Sequence, residues 1–260
     1  MKKITIFIVL TCAFVSAYGQ KIQYQMSNPL PDSLRRVLKS TLQDFQKKYG
    51  SLGTIVVRDT TEQNIYANDG TTCTLARAHH GSVSINVFAL KRYNLTKIDF
   101  RNTIAHEAKH MLIPEGIRLT KPFKLADGHT IIGFRGLNLI VDSVNDVKFA
   151  KIEEGSAEAL ASLLYSDYTC FDSMDVPLGT LVRCCIQAKW ITTTDLIRTT
   201  KESDVPGLVG LILGIPTNKV TASDIVCVVN AFNYAYQKSD YKLPFLALQQ
   251  KRGGVQKFKF

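Results

Sequence analysis

His106-Glu107-Ala108-Lys109-His110 is the stretch of this chain whose residue types and spacing could do chemistry. On a helix, side chains four apart lie one turn apart on the same face, so the imidazoles of His106 and His110 can share one cation. Glu107 stands next to the first imidazole and can reach a water on that cation rather than the cation itself. Zn2+ suits such a pair, and it lowers the pKa of a bound water to about 7. A neighbouring carboxylate can then take the proton and pass it to a leaving amine. The pattern therefore points to zinc-assisted hydrolysis, with His106 and His110 as ligands and Glu107 as general base.

Two imidazoles and a water leave one position of a four-coordinate zinc unfilled. A histidine six residues beyond His110 would be one solution, but Gly116 stands there. Glu153-Glu154-Gly155-Ser156-Ala157-Glu158 offers another. Glu154 and Glu158 share a helix face, and the apolar residues Ile152, Leu160, Leu163 and Leu164 would anchor that helix. Small Gly155 and Ala157 are expected to let it approach the motif helix closely. Glu154 is the expected third ligand, with Glu153, one helical step away, as its rival. Glu158, one turn on, is expected to accept a hydrogen bond from a ligand histidine, His106 being the expected donor. Such a bond fixes the tautomer and raises the basicity of the ligand.

His106-Glu107-x-x-His110 followed by Glu154-x-x-x-Glu158 resembles the gluzincin metallopeptidases, over roughly residues 98–164. The resemblance implies an α+β, zincin-like fold: an upper lobe with a mixed twisted sheet and the active-site helix, and a mostly helical lower lobe. It implies peptide-bond hydrolysis with Zn2+ as cofactor and a peptide or protein as substrate. It also implies a sheet-edge strand ahead of the motif helix that pairs with extended substrate, as main-chain recognition requires. Ser82 to Val87 stands where that strand is expected, making Ser84 and Asn86 candidate substrate-binding residues. Glu154 stands 44 positions after His110, a longer gap than compact members carry, which must hold an insertion. For oxyanion stabilisation Tyr165, Tyr168, Tyr234, Tyr236 and Arg183 are candidates. His79, His80 and His129 are expected to lie outside the zinc shell.

The elements that must position these residues follow from periodicity. Asp32 to Tyr49 predicts an amphipathic helix, with Leu34, Val37, Leu38, Leu42 and Phe45 at helical spacing. Gly53 to Asp59 predicts a strand, and Cys73 to Ala78 a second. Ser82 to Val87 alternates apolar and polar residues, the pattern of a half-exposed strand. A helix from about Lys97 to Leu112 opens on Thr96 and Asp99 at capping-box spacing and closes at Pro114 and Gly116. Lys121 to Thr130 reads as a polar loop, Ile131 to Val141 as an irregular strand or hairpin, and Phe149 to Tyr165 as the glutamate helix. Pro177 to Tyr236 reads as several helices separated by Pro and Gly. One catalytic domain over 20–260 is expected, its upper lobe spanning 20–116 and the insertion, glutamate helix and lower lobe spanning 117–260.

Residues 1–19 have the features of a signal peptide: Lys2 and Lys3, an apolar run from Ile4 to Phe14, then Ala17-Tyr18-Gly19. The mature chain is expected to be secreted or periplasmic, with no stable membrane insertion, because no later segment is long and apolar enough to span a bilayer. Without Lys2 and Lys3 its net charge is +8, with basic residues scattered except at Lys251, Arg252, Lys257 and Lys259. No nucleic-acid motif accompanies that charge. The remaining cysteines, Cys73, Cys170, Cys184, Cys185 and Cys227, are odd in number and follow no zinc-knuckle spacing, so buried free thiols are the expectation for most. Two other functions use the same residues: a catalytically silent binding or surface module, which would have no need of Glu107, and a zinc amide hydrolase acting on cell-wall peptides.

Overall fold

The computed structural model describes residues 21–59, 75–92, 94–125, 127–142, 146–148, 151–170 and 172–253. The expected signal peptide, Cys73, Lys257 and Lys259 lie outside them.

Two four-stranded sheets and a series of helices give an α+β architecture. The first sheet comprises β1 (Ile22–Gln25), β2 (Ile55–Asp59), β3 (Ala76–His79) and β4 (Ser82–Ile85), in the order β1-β2-β4-β3. β1, β2 and β4 are mutually parallel, and β3 runs antiparallel to β4 at the end of the order. Helix α1 (Asp32–Tyr49) connects β1 to β2 and buries Leu38, Leu42 and Phe45, the stripe its periodicity predicts.

The expectation that Ser82–Val87 is the sheet edge is corrected here. β4 is hydrogen-bonded on both sides, to β2 and to β3, so its main chain has no free edge. The end position belongs to β3. Ser84 stands between Arg58 and Arg77 in the ladder. Asn86 is not on an exposed polar face: it is buried, and its side-chain Oδ1 accepts from the Ala89 N–H 2.9 Å away. That bond caps a short helix, α2 (Val87–Arg92), which ends the strand earlier than alternation suggests. The alternation was real, but asparagine followed by a helical turn is also a cap.

A two-residue turn, His80 (φ 45°) and Gly81 (φ 67°), joins β3 to β4. Both residues have positive φ, the twist that suits a tight hairpin. The hairpin is fastened to the end of the helix after α2: Gly81 N–H donates to the Met111 carbonyl at 3.2 Å, and His80 Nδ1 lies 2.9 Å from the Ile113 carbonyl.

That helix, α3 (Lys97–His110), carries the motif. The Thr96 hydroxyl accepts from Asp99 N–H and the Asp99 carboxylate accepts from Thr96 N–H, the reciprocal cap the spacing predicts. Phe100, Ile104, Ala105 and Ala108 are buried.

The long connection that follows is a second sheet, β5 (Arg118–Lys124), β6 (Thr130–Arg135), β7 (Asn138–Val141) and β8 (Asp146–Lys148), antiparallel throughout. β5 overlaps the segment that reads as a polar loop. It is an exposed edge strand with Pro122 inside a register irregularity between Leu119 and Phe123. Such a strand needs no apolar alternation, and an edge tolerates proline. β6 and β7 form the hairpin expected within Ile131–Val141. Gly133 is required there, because a Cβ would stand 2.8 Å from the Arg118 carbonyl oxygen.

The glutamate helix, α4 (Lys151–Leu164), packs between α3 and α5 (Val176–Gln187). The expected role of Gly155 is corrected: its bare face meets the Leu178 backbone of α5, with the carbonyl oxygen 3.0 Å from where a Cβ would be, rather than α3. Helices α6 (Thr193–Lys201), α7 (Val205–Leu213), α8 (Ala222–Lys238) and α9 (Lys242–Arg252) complete the chain. One apolar cluster runs from α1 and the first sheet through α3 and α4 to these helices.

Candidate metal centre

Three acceptor atoms converge between α3 and α4. His106 Nε2 and His110 Nε2 are 3.2 Å apart, and Glu154 Oε2 lies 3.3 Å from the first and 3.5 Å from the second. Ligands disposed tetrahedrally at about 2.0–2.2 Å from zinc stand about 3.3–3.6 Å apart. The triangle matches the edges of such a site.

What lies behind the rings decides which nitrogen faces inward. His106 Nδ1 is 3.4 Å from Glu158 Oε2, and His110 Nδ1 is 3.1 Å from Glu153 Oε1. A carboxylate at Nδ1 holds the proton there and leaves the Nε2 lone pair free. With both rings so held, the three converging atoms are all acceptors, an arrangement that requires a cation or extra protons.

Glu153, the rival ligand, is thereby given a different place. It is turned away from the triangle and buried beneath His110. Its Oε1 also accepts from Lys109 Nζ, and its Oε2 accepts from the Leu137 N–H at 2.9 Å. Lys109 is fully buried, although its position within the motif is one of those left open in sequence. A buried lysine–glutamate pair is costly unless its remaining hydrogen bonds are made. Here the hairpin tip makes them. Gly136 (φ 59°) lets β6 turn into β7 over Glu153, and its N–H donates to the Ser203 hydroxyl at 2.9 Å.

Glu158 sits on the far side of His106. The Tyr168 hydroxyl donates to its Oε2 at 2.6 Å. Gly179 of α5 approaches it so closely that a Cβ there would stand 2.4 Å from Glu158 Cγ. Neither Tyr168's bond nor the glycine's role has a spacing signal.

Glu107 Oε2 accepts from the Ala78 N–H at 2.6 Å, tying the expected base to the edge strand β3. In an antiparallel ladder alternate residues direct their main-chain groups to the same side. Ala76 and Ala78 therefore face away from β4, toward the triangle.

The electrostatics follow from this crowding of carboxylates. Burial presses His106 toward its neutral form, but Glu154 and Glu158 outweigh it and hold its pKa well above the ordinary value. His110 is likewise opposed by burial and raised to about 9, chiefly by Glu154 and Glu153. Burial works against the charge on Glu153, yet Lys109 and His110 lower it to about 2. Glu154 is buried too, and His110 and His106 hold it far below the usual carboxylate range. Burial raises Glu107, with the two imidazoles opposing. The field at the rings thus favours positive charge.

Two cavities flank the triangle and share Ala76, Glu107 and Glu154 in their walls. The first, about 250 Å3, adds His106, Asn102, Tyr168, Cys170 and Asp175. Burial and then Glu154 raise Asp175 to about 6. The second, about 320 Å3, adds His110, Arg77, Ile113, Arg135, Asn138 and Glu153. Of the expected oxyanion candidates only Tyr168 lines either cavity. The Tyr165 hydroxyl donates to Asp44, Tyr236 lies against the Lys151 ammonium, and Arg183 donates to the Thr180 hydroxyl. Ser84 and Asn86 line neither cavity. His80 holds the hairpin turn and His129 pairs with Asp127 at 3.0 Å, both away from the triangle. The described cysteines, Cys170, Cys184, Cys185 and Cys227, are free thiols.

Comparison with protein-family models, curated proteins and solved structures finds no match. The fold is an α+β arrangement of two small sheets and packed helices, and the His106-His110-Glu154 cluster has the ligand types and spacing to hold a metal ion.

Proposed function

We propose that this chain is an exported zinc-dependent peptidase of zincin type, with His106, His110 and Glu154 as ligands and Glu107 as general base. The observation that carries the reading is the acceptor triangle, with Nδ1 of each ring backed by a carboxylate. Two nitrogens and one carboxylate oxygen are a donor set suited to zinc at a catalytic centre, where a fourth position stays open. Zinc held there supplies Lewis acidity and brings the pKa of water to about 7.

The chain's own groups do the rest. Ala78 N–H holds Glu107 Oε2, which leaves Oε1 to take a proton from the attacking water and deliver it to the leaving amine. Burial raises the pKa of Glu107, which favours its taking up a proton. The Ala76 main chain and the Ala78 carbonyl are on the cleft side of β3, placed to align an extended peptide, while the Ala78 N–H stays with Glu107. Tyr168, in the wall of the first cavity, is the candidate partner for a developing oxyanion, provided it exchanges its bond to Glu158. Export is proposed from residues 1–19, and no helix of the described residues is long and apolar enough to cross a membrane.

Metal analysis combined with activity on an unstructured protein such as casein tests the reading. Wild type should carry close to one zinc per chain, and both His110→Ala and Glu154→Ala should lose most of it. Glu107→Gln should keep the zinc and lose about 10^2–10^4 in rate. Full zinc in Glu154→Ala would refute the ligand assignment. Unchanged hydrolysis by Glu107→Gln would refute the base. A wild type that binds zinc but cleaves neither casein nor cell-wall peptides would favour a silent binding module.

A further inference from the structure

The second cavity contains a charge arrangement that metal binding does not use. Arg135, on the last position of β6, and Arg77, on β3, both line it beside Glu107, His110 and Glu154. Neither guanidinium has a carboxylate partner among the described residues. Arg135 Nε is shielded from solvent and has no hydrogen-bond partner, and it stands alone in this among the described buried side-chain polar atoms. A buried donor left without a partner is costly, so chains seldom keep one without use. The hairpin that presents Arg135 is also fixed: Gly136 and Leu137, the next residues, are bonded to Ser203 and Glu153. The backbone that carries Arg135 is therefore held at the cleft by the same contacts that hold Glu153 beneath His110.

We propose that this cavity is a carboxylate-binding subsite, in which Arg135, assisted by Arg77, holds a negatively charged group of an extended peptide close to the bond being cut. The proposal rests on the peptidase reading of the triangle. A planar guanidinium pairs in a fork with a carboxylate. The cavity walls also contain Glu107, Glu153 and Glu154, so a singly charged occupant fits the local balance better than a doubly charged phosphate. An edge strand at the cavity wall would supply the main-chain register that brings the carboxylate to the arginines. The group is either an Asp or Glu side chain or the free carboxyl terminus of the substrate, since both present the same two oxygens.

The test uses internally quenched decapeptides that differ only by Glu or Gln at one position, each made with a free and an amidated carboxyl terminus. Cleavage is followed with zinc-loaded protein. Binding is followed by fluorescence anisotropy with metal-free protein, in wild type, Arg135→Gln and Arg135→Lys. The expected result is at least tenfold tighter binding and faster cleavage of one carboxylate-bearing peptide over its uncharged match. Arg135→Gln should abolish that discrimination, and Arg135→Lys should keep only part, because an ammonium lacks the fork. Loss of the effect on amidation identifies the terminal carboxylate, and its persistence identifies the side chain. Cleavage with no carboxylate preference, or a preference that survives Arg135→Gln, overturns the subsite and leaves the peptidase reading standing. Arg135-dependent binding without any cleavage supports the subsite and overturns the peptidase reading.

Discussion

Each ring of the triangle is held from behind by a different carboxylate, and each carboxylate is held in turn. Glu153 is anchored by Lys109 and the Leu137 N–H, and Glu158 by Tyr168. This has a consequence for pH. His110 has a folded-state value of about 9, above its ordinary 6.5. In the metal-free chain its charged form therefore stabilises the fold fully below pH 6.5, and that contribution is lost as pH rises through about 9. Zinc requires the neutral ring, so its affinity should move the opposite way across the same window. Melting temperature of the chelated protein should fall between pH 6.5 and 9 while zinc affinity, measured by chelator competition, climbs. A flat melting curve paired with constant affinity would show that His110 does not carry this proton.

At the scale of elements, α4 is positioned by glycine contacts as much as by its apolar face. Gly179 lets α5 come against Glu158, and α4 and α5 pack extensively together. In Gly179→Ala the added methyl would meet Glu158 Cγ at 2.4 Å, so either α5 or the Glu158 side chain must shift, and a shift of the latter draws its carboxylate off His106. Overpacking of this kind costs about 1–3 kcal/mol. Losing a carboxylate behind a ligand histidine typically weakens metal binding about 10–100-fold. We expect both effects, by denaturant melts and by zinc titration. If Gly179→Ala binds zinc as tightly as Glu158 in its native setting allows, the glycine serves packing alone. The β6–β7 hairpin is the other element that matters, since its tip reaches Glu153 and its flank presents Arg135.

Across the whole molecule, the proposed ligands come from two helices separated by an intervening sheet, yet those helices belong to one continuous apolar cluster. A cation bound between them should therefore stabilise the entire fold rather than one segment. Free zinc at 100 times its dissociation constant adds about 2.7 kcal/mol. For a chain of this size that corresponds to a rise in melting temperature of roughly 5–10 °C. Calorimetry on wild type should show it, and Glu154→Ala should not respond to the same zinc concentration. An equal rise in both would place the stabilising ion elsewhere. The net charge of +10 in the full chain selects no particular partner; the local feature that would select an acidic one is the second cavity, lined by Arg77 and Arg135.

Local signals were legible where the chain needs only its neighbours. The four-residue spacing of His106 and His110, the Thr96–Asp99 cap and the apolar stripe of α1 each depend on helix geometry, which sequence alone determines. That Glu154 stands with the two imidazoles was reachable by the same reasoning, because its helix is amphipathic and its neighbours are small. What faces what across space was not. Whether Glu153 or Glu154 turns toward the rings depends on how α4 rotates against α3, and Lys109 and the β6–β7 hairpin decide that rotation. The edge of the first sheet depends on strand order: β3 takes it because a two-residue turn folds β3 back outside β4, which alternation within either strand cannot reveal. Arg135 had no local signature at all, since an arginine before a glycine is ordinary until tertiary packing shields its Nε from water without supplying a partner among the described residues.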